Sequence, residues 1–197
     1  MSTLTMRERL VETALTLCYQ HGFHAVGVDR IAKEAGATRA SLYNHFESKD
    51  ELALAVVEKR DAWWQATFCT EMKRRGGDDP LNQLRSVPDI LQEWFASDGF
   101  NGCLFINTAS EFPSPYDPLH KAAKANVDAI RAVVADVADR AGIRDAKNFA
   151  QQFNMIIEGA IVTEVIDRDG CAADTAAQLA AALIEHSFSR GEAPPPL

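Results

Sequence analysis

The chain lacks the local patterns on which most enzyme sites are built. It has no Gly-x-Ser-x-Gly elbow to expose a serine nucleophile, no phosphate-cradling glycine loop, and no His-Glu-x-x-His pair for a catalytic zinc. The expectation is a protein that is not an enzyme and uses no cofactor. His21 and His24 stand three apart, but they straddle Gly22, and no Cys or carboxylate cluster completes a metal site. The four cysteines, at 18, 69, 103 and 171, form no Cys-x-x-Cys pair, and no secretory segment precedes them, which suits reduced thiols in the cytoplasm. Arg7, Glu8 and Arg9 charge the start of the chain before any apolar run that could act as a signal. Glu158 and Glu164 interrupt the longest apolar stretch, so no membrane span is expected. Strict alternation of apolar and polar residues is missing too, and so is any solenoid repeat, which leaves an all-α fold.

Basic charge is also in short supply. Lys and Arg number 20 against 28 Asp and Glu, a net charge of −8. Residues 1–60 hold eight of each sign, so the whole acidic excess, 12 against 20, belongs to residues 61–197. A hydrophobic content of 47% is ample for a core. At 197 residues the length suits a small head followed by a larger body.

What is present is concentrated between Gly27 and Ala53. Ile31 and Leu42 each offer an apolar contact on a short helix, Ala32 and Gly36 are small where two helices must cross closely, and Gly36 accepts a left-handed backbone. Thr38 is a good N-cap for a helix of about two turns that carries Arg39, Ala40, Ser41, Tyr43, Asn44 and His45. Leu42 and Phe46 form its inward side, and the polar remainder is free to bond bases and phosphates. Ser48 and Glu51 form a capping box that opens the next helix. These features describe a helix-turn-helix.

The run Gly22-Phe23, Val28-Asp29-Arg30-Ile31-Ala32, Ala35-Gly36, Ser41 through Phe46, Ser48-Lys49 and Leu52 strongly resembles the head of the TetR family of one-component transcriptional regulators. The resemblance implies that Arg39, Ser41, Tyr43 and Asn44 face the major groove or its phosphates, while Thr38, His45 and Lys49 hold the DNA backbone. Arg39 is the expected base reader, because a guanidinium can bond both acceptors of a guanine edge. Asp29 departs from relatives with a basic residue there, and either accepts from a cytosine or points away. A head of zero net charge predicts modest nonspecific affinity, clear salt dependence and two heads acting together on an operator.

The expected organisation is a head over 1–50, a helical effector-binding and dimerisation body over 51–190, and a mobile tail over 191–197. A long helix runs from Ser48 to about Arg75 and links head to body. Others follow from Asp79-Pro80, with Pro88 dividing or kinking it, from Gly102 to Ser110, and from Asp117-Pro118 to about Ala141. The last two run from about Ala146 to Asp167 and from about Asp174 to Phe188. The first of this pair carries apolar residues round more than one stripe, so it needs cover on two sides. A four-helix homodimer interface is the economical account, and the resemblance implies the same.

Trp63, Trp64, Phe68, Trp94, Phe105 and Phe153, with Asn107, Glu111 and Asn154 as polar members, are the candidate lining of a pocket for a small, largely apolar effector. Cys103 is expected in the first turn of a helix, where the dipole favours a reactive thiolate. The reading is a dimeric regulator, a repressor released from double-stranded operator DNA by its effector. The alternatives are a ligand-sequestering dimer that does not read DNA specifically, and a redox or electrophile sensor acting through Cys103.

Overall fold

A computed structural model of the protein describes residues 4–189, and all regular structure within them is helical. The segment 191–197, expected as a mobile tail, lies outside the described residues. The helices are α1 (Met6–His21), α2 (Val28–Glu34), α3 (Arg39–Tyr43), α4 (Lys49–Gly76), α5 (Pro80–Arg85), α6 (Val87–Phe95), α7 (Leu104–Glu111), α8 (Pro118–Arg140), α9 (Ala146–Asp167) and α10 (Ala172–Ser189). They fall into two compact units. The first runs to Trp64 and takes in Cys103–Val127, and the second comprises Gln65–Gly102 and the chain from Asp128 onward.

In the first unit, α1 opens with a full capping box: Thr5 Oγ accepts from the Glu8 N–H, and the Glu8 carboxylate accepts from the Thr5 N–H at 2.7 Å. The Thr5 N–H and the Thr5 hydroxyl, which donates at 2.8 Å, both bond the Glu8 carboxylate and hold its carboxyl below its ordinary pKa, the backbone bond contributing most. Leu10, Ala14 and Leu17 of α1 lie in a core shared with Phe23, Ile31, Leu42, Phe46, Leu52 and Val56, all buried. Glu12 of α1 and Lys59 of α4 pair across that core's edge at 2.5 Å.

Three local details differ from expectation. The box at Ser48 is only half of one. Ser48 Oγ accepts from the Glu51 N–H at 3.1 Å, but the Glu51 carboxylate takes the N–H of Glu47, one residue further back. The division after α5 falls at Ser86, whose hydroxyl donates to the Gln83 carbonyl, and Pro88 sits at the second position of α6, where a missing N–H costs nothing. Cys103 is not in a helical turn. Its backbone is extended (φ −94°, ψ 121°) and it is the N-cap of α7, because Gly102 before it takes a left-handed φ of 79°.

The second unit is built on α9 and α10, which pack along their length and are joined on one side by α6. Ala172, Ala173, Ala176 and Ala180 are the buried stripe of α10, small enough to let the two axes approach. Phe149 and Phe153 stack at 5.5 Å on the buried side of α9, ahead of Ile157 and Ile161. At the other end of the unit, Gly76 closes α4 so tightly against α5 that a Cβ there would run into the backbone of Asn82 and Gln83. The buried Gln83 side chain donates to the Gly77 carbonyl at 2.6 Å and accepts from Arg140 of α8.

Candidate nucleic-acid interface

The turn between α2 and α3 is set by its own backbone. Gly36 adopts φ 68°, and the Ala37 N–H reaches back to the Ala32 carbonyl at 2.8 Å, so the chain reverses within a few residues. Thr38 then caps α3, its hydroxyl accepting from the Ser41 N–H at 3.1 Å. Ile31, Ala32 and Leu42, each almost wholly buried, fix the two helices against one another. With one face committed to that contact, α3 and the residues flanking it present polar groups outward: Thr38, Arg39, Tyr43, Asn44 and His45 are exposed and Ser41 is half-buried. Regular α3 is five residues long, shorter than the expected two turns. Lys49, half-buried, is the first residue of α4.

The charged groups around α3 are paired in ways that sequence spacing does not announce. Arg39 Nη1 lies 3.2 Å from Asp29 Oδ2, and its guanidinium carbon lies 5.6 Å from the centre of the Tyr43 ring. Arg30 bonds Glu34 at 2.9 Å and the His21 ring at 3.2 Å. Asp29 therefore meets the arginine of the next helix.

The residues grouped as an effector lining are divided between the two units. Trp63, Trp64, Phe105, Asn107 and Glu111 belong to the first unit, and Phe68, Trp94, Phe153 and Asn154 to the second. Trp64, Phe68, Phe105 and Phe153 are buried, whereas Trp63 is half exposed and stacks under the Arg60 guanidinium at 4.3 Å. The Arg60 pKa is lowered by burial, with Tyr19 and Cys103 pulling the other way. Asn154 is buried with its Nδ2 unbonded by protein. Glu111 is engaged elsewhere: it holds the turn between α1 and α2. A groove of about 460 Å³ on the second unit runs between α9 and α10, past Met155, Gly159, Thr163, Thr175 and Leu179. A second cavity of about 490 Å³ lies among Cys69, Met72, Gln83, Val133, Val137 and Arg140.

The helix-turn-helix geometry coincides with a match of residues 10–56 to the family model described as bacterial regulatory proteins, tetR family. Residues 80–180, more than half the chain, match the tetracyclin repressor-like C-terminal domain. The chain belongs to the TetR family. Among curated proteins, it is 31% identical over 105 residues to the transcriptional regulator AcuR of Cereibacter sphaeroides, covering 53% of this chain and 48% of that protein. It is 27% identical over 106 residues to the HTH-type transcriptional repressor NemR of Escherichia coli, covering 53% of each. The chain thus spans about half the length of the curated relatives it matches. In the solved structures it is similar to SCO4454, a TetR-family transcriptional regulator from Streptomyces coelicolor, with a TM-score of 0.87 and 29% identity over 92% of this chain and 89% of that one. Among the described residues, no helix of this TetR-family chain is long and apolar enough to cross a membrane.

Proposed function

We propose that this TetR-family protein is a dimeric, sequence-specific DNA-binding transcriptional regulator, a repressor that a small, largely apolar effector releases from its operator. The observation that carries the reading is the exposed row on α3. A helix of five residues fixed by one buried leucine, with its arginine and tyrosine and the asparagine and histidine that follow it all facing solvent, has the geometry of a groove reader and contributes little packing of its own. Arg39 reads a base, Ser41, Tyr43 and Asn44 contact the groove or its phosphates, and Thr38, His45 and Lys49 anchor the backbone.

Dimerisation supplies the second head. Supporting it, α9 and α10 leave Met155, Val162, Ile166, Leu179 and Phe188 exposed, an apolar surface on two adjacent helices that a second copy would cover. Two heads would then occupy successive major grooves about 34 to 36 Å apart. The effector shifts α4, which begins in the first unit and ends in the second, and so changes that spacing. For release, the effector must bind the DNA-incompetent state more tightly, and operator DNA must weaken effector binding by the same factor. The relative NemR is named a repressor, which supports repression.

Fluorescence anisotropy against DNA from beside the protein's own gene, at two salt concentrations and with unrelated competitor, tests the reading. Saturable binding that resists competitor is expected. Weak binding, equal on all DNA and abolished by salt, would leave a ligand-sequestering dimer as the better account.

Cys103 supports a second reading, release by oxidants or electrophiles. It is half-buried at the mouth of α7 and close enough to the Arg60 guanidinium to interact with it electrostatically. A Cys103→Ser protein that electrophiles still strip from DNA would eliminate that route.

A further inference from the structure

Asp29 lies in the first turn of α2, where a carboxylate suits the positive end of the helix dipole. That placement alone would leave its side chain in water. Instead it crosses to the next helix, with Oδ2 at 3.2 Å and Oδ1 at 3.4 Å from Nη1 of Arg39. The Arg39 guanidinium carbon also lies 5.6 Å from the centre of the Tyr43 ring. The contacts come from two helices whose mutual position Ile31, Ala32 and Leu42 already fix. The side chains of Arg39 and Asp29 are 60% and 71% exposed, so the pair adds little to folding stability. Its consequence is orientation.

The chemistry of that orientation is specific. Asp29 bonds Nη1 only, and Arg39 makes no other hydrogen bond to a described residue. The Nε and Nη2 N–H groups remain, and they form a parallel fork that matches O6 and N7 of guanine. We propose that Asp29 is a positioning residue for specificity: by holding Nη1 it presents the remaining fork of Arg39 to one guanine in each half-site. The inference rests on the reading of α3 as the DNA-facing helix. It also explains why an acidic residue stands beside a polyanion. The carboxylate repels all DNA equally, and in exchange it narrows the orientations of the one group that distinguishes bases.

The test is selection of bound duplexes from a randomised DNA pool by the full-length protein and its Asp29→Asn, Asp29→Glu and Arg39→Ala variants. Affinities for the best duplex, its single-base variants and an unrelated duplex then follow at two salt concentrations. The original protein should prefer guanine at one position per half-site by about 5- to 150-fold. Asp29→Asn should flatten the preference at that same position, to within roughly threefold of no preference, while binding to the unrelated duplex strengthens. Asp29→Glu should keep part of the preference, and adding Asp29→Asn to Arg39→Ala should change the base profile no further. A uniform gain on all duplexes with the base profile intact would overturn the proposal, leaving only a surface charge effect. Loss of preference at a different base pair from Arg39→Ala would also overturn it, because Asp29 would then read a cytosine itself. If the original protein enriches no sequence, the DNA-reading proposal falls, and this inference falls with it.

Discussion

The carboxylate of Glu111, the last residue of α7, accepts the backbone N–H groups of Phe23 at 3.0 Å and His24 at 2.8 Å. The main-chain carbonyl of Glu111 accepts from His24 Nε2 at 3.0 Å, and the next ring, Phe112, lies edge-on to Phe23 at 6.0 Å and over His24 at 4.8 Å. One residue thus ties the turn between α1 and α2 to the end of a helix nearly ninety positions later. Both donors follow Gly22, the C-cap of α1, and have no helical partner, so the carboxylate replaces bonds that a helix would have made. We expect Glu111→Ala to lower stability by about 1.5 to 3 kcal/mol, the usual loss for hydrogen bonds to a charged group, and Glu111→Gln by less. Urea unfolding of both variants checks this. A midpoint unchanged in Glu111→Ala would mean water replaces the carboxylate without loss.

The open face of α9 and α10 is the next point of attack. Met155, Ile166 and Leu179 are 69%, 72% and 53% exposed, far beyond what an inner face of a bundle shows. A Val162→Glu and Leu179→Glu double variant should fold and sediment as a monomer, because two carboxylates from each copy would be forced into an apolar contact without partners. Analytical ultracentrifugation decides it, and a double variant that still sediments as a dimer would place the interface elsewhere.

Gly76→Ala sets two magnitudes against each other. Alanine in a helix gains about 1 kcal/mol over glycine. The new Cβ, however, would meet the backbone of Asn82 and Gln83, which cannot swing aside as a flexible side chain can. Overpacking of this kind costs about 1 to 3 kcal/mol, so a net loss is expected. A rise in melting temperature would show that α5 can retreat.

Cys18 supplies a pH dependence. Burial pushes its thiol up to about 11, from an ordinary value of 9.0. The unfolded chain therefore loses this proton first as pH rises. The contribution of the neutral thiol to stability is whole below pH 9 and declines from there until the folded thiol also ionises near 11. Compared with Cys18→Ala, the original protein should lose more stability between pH 8 and pH 10.5 in parallel denaturant titrations. Equal losses in the two proteins would show that other groups govern the alkaline limb.

Much of the architecture was readable from local chemistry. Gly36, Thr38, Leu42 and Phe46 announced the helix-turn-helix because each needs only its neighbours: a positive φ, a cap, and two apolar contacts four apart. The ends of α4, α8 and α9 fell within a residue or two of expectation for the same reason, being marked by Gly, Pro and capping Asp or Ser. Capping finer than that was not legible. Whether Glu51 returns to Ser48 or to Glu47 depends on the angle at which the chain enters α4, and whether Cys103 is a cap or a helical residue depends on the φ that Gly102 takes.

The sequence by itself determined the all-helical class, the head with its reading helix, and the excess of apolar surface on α9, since periodicity and caps act over one or two turns. Only the tertiary structure decided that Asp29 meets Arg39, that Glu111 holds the turn after α1, and that Gly76 must lack a side chain. Each of these is a contact between groups on different elements, fixed by where the helices pack, and no pattern in either partner's local sequence carries that information.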